Sequence, residues 1–196
     1  MKLFTRKTKE FRPDREGTGQ LNKLWPTPRQ QLRALQWLFY GTVCLVGLLA
    51  QDVLLCRVNL LGGCTDLVPC LILMVAVMQG VESGSVFSLV MSVLYFFSGS
   101  SAGFYVIPLL TAVAVFVTIF RQAFLRQGLG AIVLCAAIGM VIYELALFGI
   151  SLFLKLTVWG RVGTALLTAL LSLPAVPVFY PVLLAIGKLG GQTWKE

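Results

Sequence analysis

The chain has 196 residues, 58% of them hydrophobic and only 12% charged, with a formal net charge of +8. A soluble domain carries roughly a quarter charged residues, so this composition excludes an ordinary soluble fold and points to a surface that meets lipid. Nine of the sixteen Lys and Arg fall in the first 33 residues, with three of the eight carboxylates, and no folded aromatic surface interleaves them, which argues against a nucleic-acid partner.

Residues 1–33 are polar and rich in mixed charge, with Pro and Gly. They are expected to be a cytoplasmic basic tail, either disordered or lying on the bilayer surface, with Phe4, Phe11, Leu24 and Trp25 as interfacial anchors. The first apolar run follows this tail near residue 34, so no cleavable signal peptide is expected.

Helix one is predicted from Ala34 to Gln51, an uncharged stretch of 18 residues, close to the minimum for a hydrocarbon core of ~30 Å. Trp37 and Tyr40 at its start suit a membrane interface. The segment "DVLLCRVNLLGGCTD" reads as a loop with a short re-entrant or interfacial helix. Helix two is predicted from Leu67 to Val81, with Pro69 in the first turn, where a missing donor costs nothing. Glu82 and Gly84 mark a tight connection.

The next run, Ser83 to Phe120, has no charge for 38 residues. As one helix it would be ~57 Å long, so it must fold back once. "SGSSAG" is the only stretch dense enough in small residues to turn it. Helix three is therefore predicted from Ser85 to Phe97 and helix four from Phe104 to Phe120, with Arg121 and Arg126 bounding the loop beyond. Helix five, Gly128 to Leu154, is broken only by Glu144. Helix six, Val162 to Gly187, carries Pro174, Pro177 and Pro181, which should kink or break it.

The expected fold is all-α: a polytopic membrane protein whose residues 34–190 form a six-transmembrane-helix bundle. Thirteen basic residues fall on the face of both termini and three, Arg57, Lys155 and Arg161, on the other. The positive-inside rule then places both termini in the cytoplasm and "GSSAG" outside.

Gly99-Ser100-Ser101-Ala102-Gly103 matches the Gly-x-Ser-x-Gly nucleophile elbow. An elbow needs a strand leading in and a base within reach. Here a helix leads in, and the chain contains no histidine. The turn reading is preferred, with the serines capping helices three and four. There is no Walker A, paired-Asp or dinucleotide pattern and no metal-ligand cluster, so no enzyme, metal or cofactor is expected. The five cysteines form no Cys-x-x-Cys pair and read as buried small hydrophobes, with Cys56–Cys64 the one bridge worth checking.

Two residues are candidates for interaction or bundle ordering. Glu144 sits mid-helix, where a carboxyl is costly and faces the bundle interior. It reads either as a proton site, ligand contact or hydrogen bond to a partner helix, or as a protonated group that orders the bundle; no charged partner for it is visible in the sequence. Glu82, at a helix end, reads first as a solvated charge. The small residues Gly128, Gly130, Gly139 and Gly149, with Gly163, Ala165, Ala169 and Ser172, are expected to let helices five and six approach closely.

From Gly62 to about Phe148 the order of features resembles the rod shape-determining protein MreD family. A helix opens on a proline, as in "GGCTDLVPCLILMVAVMQG". A glycine-bearing turn and a helix ending in small residues follow, "VESGSVFSLVMSVLYFFSGSSAG". The next helix, "FYVIPLLTAVAVFVTIFR", closes on arginine. The chain departs from the family pattern where "MSVLY", Met91 to Tyr95, replaces a segment of the type Gly-Leu-Leu-x-Asp. The resemblance implies a non-enzymatic component of the bacterial cell-elongation machinery in the plasma membrane. Its partners would be MreC-like, RodA-like and penicillin-binding transpeptidase proteins and the actin-like MreB. The family's fold is similar to that of substrate-binding components of energy-coupling-factor vitamin transporters. A small-molecule uptake subunit is therefore the alternative, and Asp52, Asn59, Thr65, Asp66 and the serines of 98–101 would be its polar contacts.

Overall fold

The computed structural model describes residues 28–53, 65–125 and 128–189. Seven α-helices make up almost all of this: α1 (Pro28–Val53), α2 (Leu67–Gln79), α3 (Val81–Phe97), α4 (Val106–Phe124), α5 (Leu129–Phe153), α6 (Val162–Ser172) and α7 (Ala175–Leu189), with a short 3-10 turn at Trp159–Arg161. No strand occurs among the described residues.

The bundle is built around α2. Its sequence, LVPCLILMVAVMQ, is apolar on every face, and each residue from Leu67 to Met78 is buried. A helix with no polar stripe is stable only when other elements enclose it. Here α1, α3, α4, α5 and α7 all pack against it. The outer helices turn large apolar side chains away from the core instead, among them Leu38, Leu49, Val86, Phe116 and Leu134.

Three helices, Gln31–Val53, Val106–Phe124 and Leu129–Phe153, are long and apolar enough to cross a bilayer. The pair Trp159–Ser172 and Ala175–Lys188, bent by 41°, makes a fourth if read as one broken span. The break falls at Leu173 and Pro174, because a proline there cannot continue the ladder of α6. Pro177 lies in the first turn of α7, where no donor is missed, and Pro181 is accommodated inside that helix. The 13 residues of α2 and 17 of α3 span only ~20 and ~26 Å.

Several boundaries differ from expectation. The first helix takes in Pro28–Arg33, the end of the expected tail, because Pro28 occupies a first-turn position that favours proline. The connection between α2 and α3 is the single residue Gly80, at φ 92°, a conformation that suits glycine. Glu82 and Gly84 lie in the first turns of α3 rather than in a loop. Gly84 serves packing: a Cβ on it would come within 2.5 Å of the Ala76 carbonyl oxygen.

Of the glycines expected to bring helices five and six together, Gly128, Gly130, Gly149 and Gly163 have open space beside them. Gly139 does pack tightly, against Leu73 and Val117, which belong to α2 and α4. Ala169 and Ser172 are buried as close-packing residues.

Tyr40 is not an interfacial residue. It is fully buried, and its hydroxyl donates to the Leu183 carbonyl at 3.3 Å, tying α1 to α7. Trp37 packs edge-on against Phe87. Arg121, expected to bound a loop, is the buried last-turn residue of α4. Residues 1–27, the expected re-entrant segment over 54–64, Asn59, the Cys56–Cys64 pair and Arg126 lie outside the described residues.

Candidate functional site

The first amides of any helix lack partners within the helix. For α2 the need is acute, because its start is inside the bundle. Asp66 holds the N-cap position but makes no capping bond with its own side chain. Gln51, in the last turn of α1, supplies the acceptor instead: its Oε1 accepts from the Val68 amide at 2.9 Å. The same side chain donates from Nε2 to Asp66 Oδ1, also at 2.9 Å. A buried amide side chain thus closes a helix end and orients a carboxyl at once.

Three further helices converge here. The Asp66 amide donates to Ser172 Oγ at 2.9 Å, and that hydroxyl donates to the Thr168 carbonyl at 2.9 Å. Ser172 is the last residue of α6, so the bond fixes the broken span where it bends. From α3, the Tyr95 hydroxyl approaches Asp66 Oδ1 at 3.4 Å, a long contact by the usual geometry. From α5, Glu144 comes close enough to Asp66 for the two carboxyls to interact. Tyr143 lies in the same electrostatic surroundings.

Glu144, Tyr95, Gln51 and Ser172 are all buried, while Asp66 keeps partial exposure. The positive end of the α2 dipole points at the cluster, which favours negative charge on Asp66. Glu144 Oε1 is buried and has no hydrogen-bond partner. The neighbour of Glu144 that the sequence did not reveal is another carboxyl, that of Asp66.

The turn between α3 and α4 lies at the same end of α3 as Tyr95. Gly99 and Gly103 take positive φ there, at 80° and 156°, as the expected turn requires. Ser98 Oγ donates to the Tyr95 carbonyl at 2.8 Å and so caps the end of α3. The start of α4 has no such cap: Tyr105 holds that position without a side-chain capping bond, its hydroxyl donating to the Ala102 carbonyl instead. The Ser100 hydroxyl is bonded to the Asp52 carboxylate. Ser101 Oγ is buried and has no hydrogen-bond partner.

Of the sequence candidates, Glu144 and Asp66 are brought together, and Asp52 and Ser100 pair nearby. Glu82 is exposed in the first turn of α3, at the opposite end of that helix from Tyr95. Gln51, Tyr95 and Ser172 join the cluster without having been singled out for it. Each is a polar residue near a helix end with an apolar flank, a pattern too common to flag alone. Cys44, Cys70 and Cys135 are free and buried, as expected.

Comparison of the chain with family models, with curated proteins and with solved structures finds no match.

Proposed function

We propose that the chain is a non-enzymatic, multi-pass component of a bacterial plasma membrane that scaffolds peptidoglycan-synthesis partners of the cell-elongation machinery. Both termini are cytoplasmic in this reading. All six apolar segments cross the bilayer, α2 doing so inside a protein sheath and α3 with Val86, Leu89 and Val90 turned outward. The supporting observation is the division of labour among the helices. The interior is filled by α2, and the spanning helices present unbroken apolar faces outward, which suits association with other membrane helices. The resemblance between Gly62 and Phe148 supplies the cellular setting.

The test is co-purification of the tagged full chain from membranes with MreC-like and RodA-like proteins, joined to complementation of a deletion strain. Retention of an MreC-like protein and rescue of rod shape support the reading. Co-purification with a transporter ATPase and loss of vitamin uptake on deletion overturn it in favour of a substrate-binding subunit. One observation favours that second reading: polar groups from four helices and the α2 N-cap converge on Asp66. Tyr95, which stands at the end of the segment that departs from the family pattern, is one of them.

A further inference from the structure

Two carboxylates can only accept hydrogen bonds. Their approach inside an apolar bundle therefore needs a positive charge between them, because two unpaired buried anions in contact would not be held there. Among the described residues no Lys or Arg enters the electrostatic surroundings of Asp66 or Glu144. The donors present, Gln51 Nε2 and the Tyr95 hydroxyl, both serve Asp66 Oδ1. Glu144 Oε1 is left without any donor in a side chain only 7% exposed.

We propose that the Asp66–Glu144 pair is a binding site for one small monovalent cation, with a proton as its alternative occupant. The ligand set is all oxygen: the two carboxyls, with the Tyr95 hydroxyl beside Asp66. Hard oxygen donors suit an alkali ion rather than a soft transition metal. No group of three or more His, Cys, Asp or Glu is gathered among the described residues, which also points away from zinc. Asp66, the partly exposed member, is the point of entry. The other ionisable groups in the surroundings of the pair are Tyr95 from α3 and Tyr143 from α5. The proposal holds whether the chain acts as a scaffold or as an uptake subunit.

The test uses the purified full chain in detergent at constant ionic strength. Its thermal midpoint is followed in sodium, potassium and N-methylglucamine chloride, from acidic to alkaline buffer. For a metal occupant, sodium or potassium at roughly a hundredfold excess over Kd raises the midpoint by several degrees. The rise grows with pH as the competing proton leaves, and it is absent in Glu144→Gln and Asp66→Asn. For a proton occupant the midpoint ignores the metal but falls as pH rises, and Glu144→Gln removes that slope. A wild-type midpoint indifferent to both cation and pH overturns the proposal, as does a Glu144→Gln protein that responds as the wild type does. Tyr95→Phe, which keeps both carboxyls, guards against failure of the carboxyl variants to fold. It should retain the response with weaker cation affinity, and an unchanged affinity removes Tyr95 from the ligand set.

Discussion

Gly84 lies with its α-carbon against the backbone of Ala76, so close that a methyl group would sit 2.5 Å from the Ala76 carbonyl oxygen and 2.9 Å from its α-carbon. Backbone cannot move aside as a flexible side chain can. Gly84→Ala should therefore force α2 and α3 apart and cost at least about 2–3 kcal/mol. Gly149→Ala, where nothing lies within 4 Å, should be neutral or gain about 0.5–1 kcal/mol from helix propensity. Thermal midpoints of the two variants in the same detergent check the contrast. Equal midpoints would show that the hairpin is looser than described.

Gln51 serves the Val68 amide and the Asp66 carboxyl together. Gln51→Leu keeps the volume but strands the Val68 amide and leaves Asp66 Oδ1 only the long Tyr95 contact, and should destabilise by about 1–3 kcal/mol. Gln51→Glu keeps the acceptor for Val68 but turns a donor toward Asp66 into a third carboxyl. It should be tolerated in acidic buffer and fail in alkaline buffer, whereas the loss in Gln51→Leu relative to the wild type should be similar in both. Denaturation followed by tryptophan fluorescence at two pH values separates them.

Ser101 Oγ has no hydrogen-bond partner, so nothing activates it. Ser101→Ala should leave cell shape and growth of a complemented deletion strain unchanged, and it relieves a buried unpaired hydroxyl at no cost in stability. Loss of growth with normal protein levels in the membrane would show that the hydroxyl has a task.

The charge distribution, thirteen basic residues against three, predicts cytoplasmic termini. Single cysteines placed in a background lacking the five native ones should be labelled from outside at Ser100 and at Leu156. The same reagent should not reach one at Glu82. External labelling of the Glu82 position would invert the topology.

The helices were legible because lipid-facing and core-facing segments are both written as uncharged runs, bounded by Arg33, Asp52, Glu82, Arg121 and Lys155. The break in the last span was legible from the proline cluster, although only Pro174 breaks it. What the runs did not reveal was which face of each helix meets protein. When both environments are apolar, the period that separates inside from outside vanishes. Tyr40 therefore looked interfacial and is core, and Gly84 looked like a turn and is a packing contact. Of the candidate site, Glu144 was legible through its cost in an apolar helix. Its partner was not, because Asp66 lies far off in sequence, at the end of a helix, where an acidic residue is unremarkable.

The enclosure of α2 has a consequence for how the chain is made. A segment of 13 residues, twelve of them apolar, leaves the ribosome early, yet one of its five flanks is closed only by α7, the last of the described helices. Until then it cannot span a bilayer by itself, although Gln51 of the earlier α1 is already present to cap its first amides. Nascent chains halted before Ala175 should therefore hold α2 as an unfinished, protease-sensitive or chaperone-bound segment. Release of α7, rather than insertion of any single span, should be the event that commits these helices to their folded form.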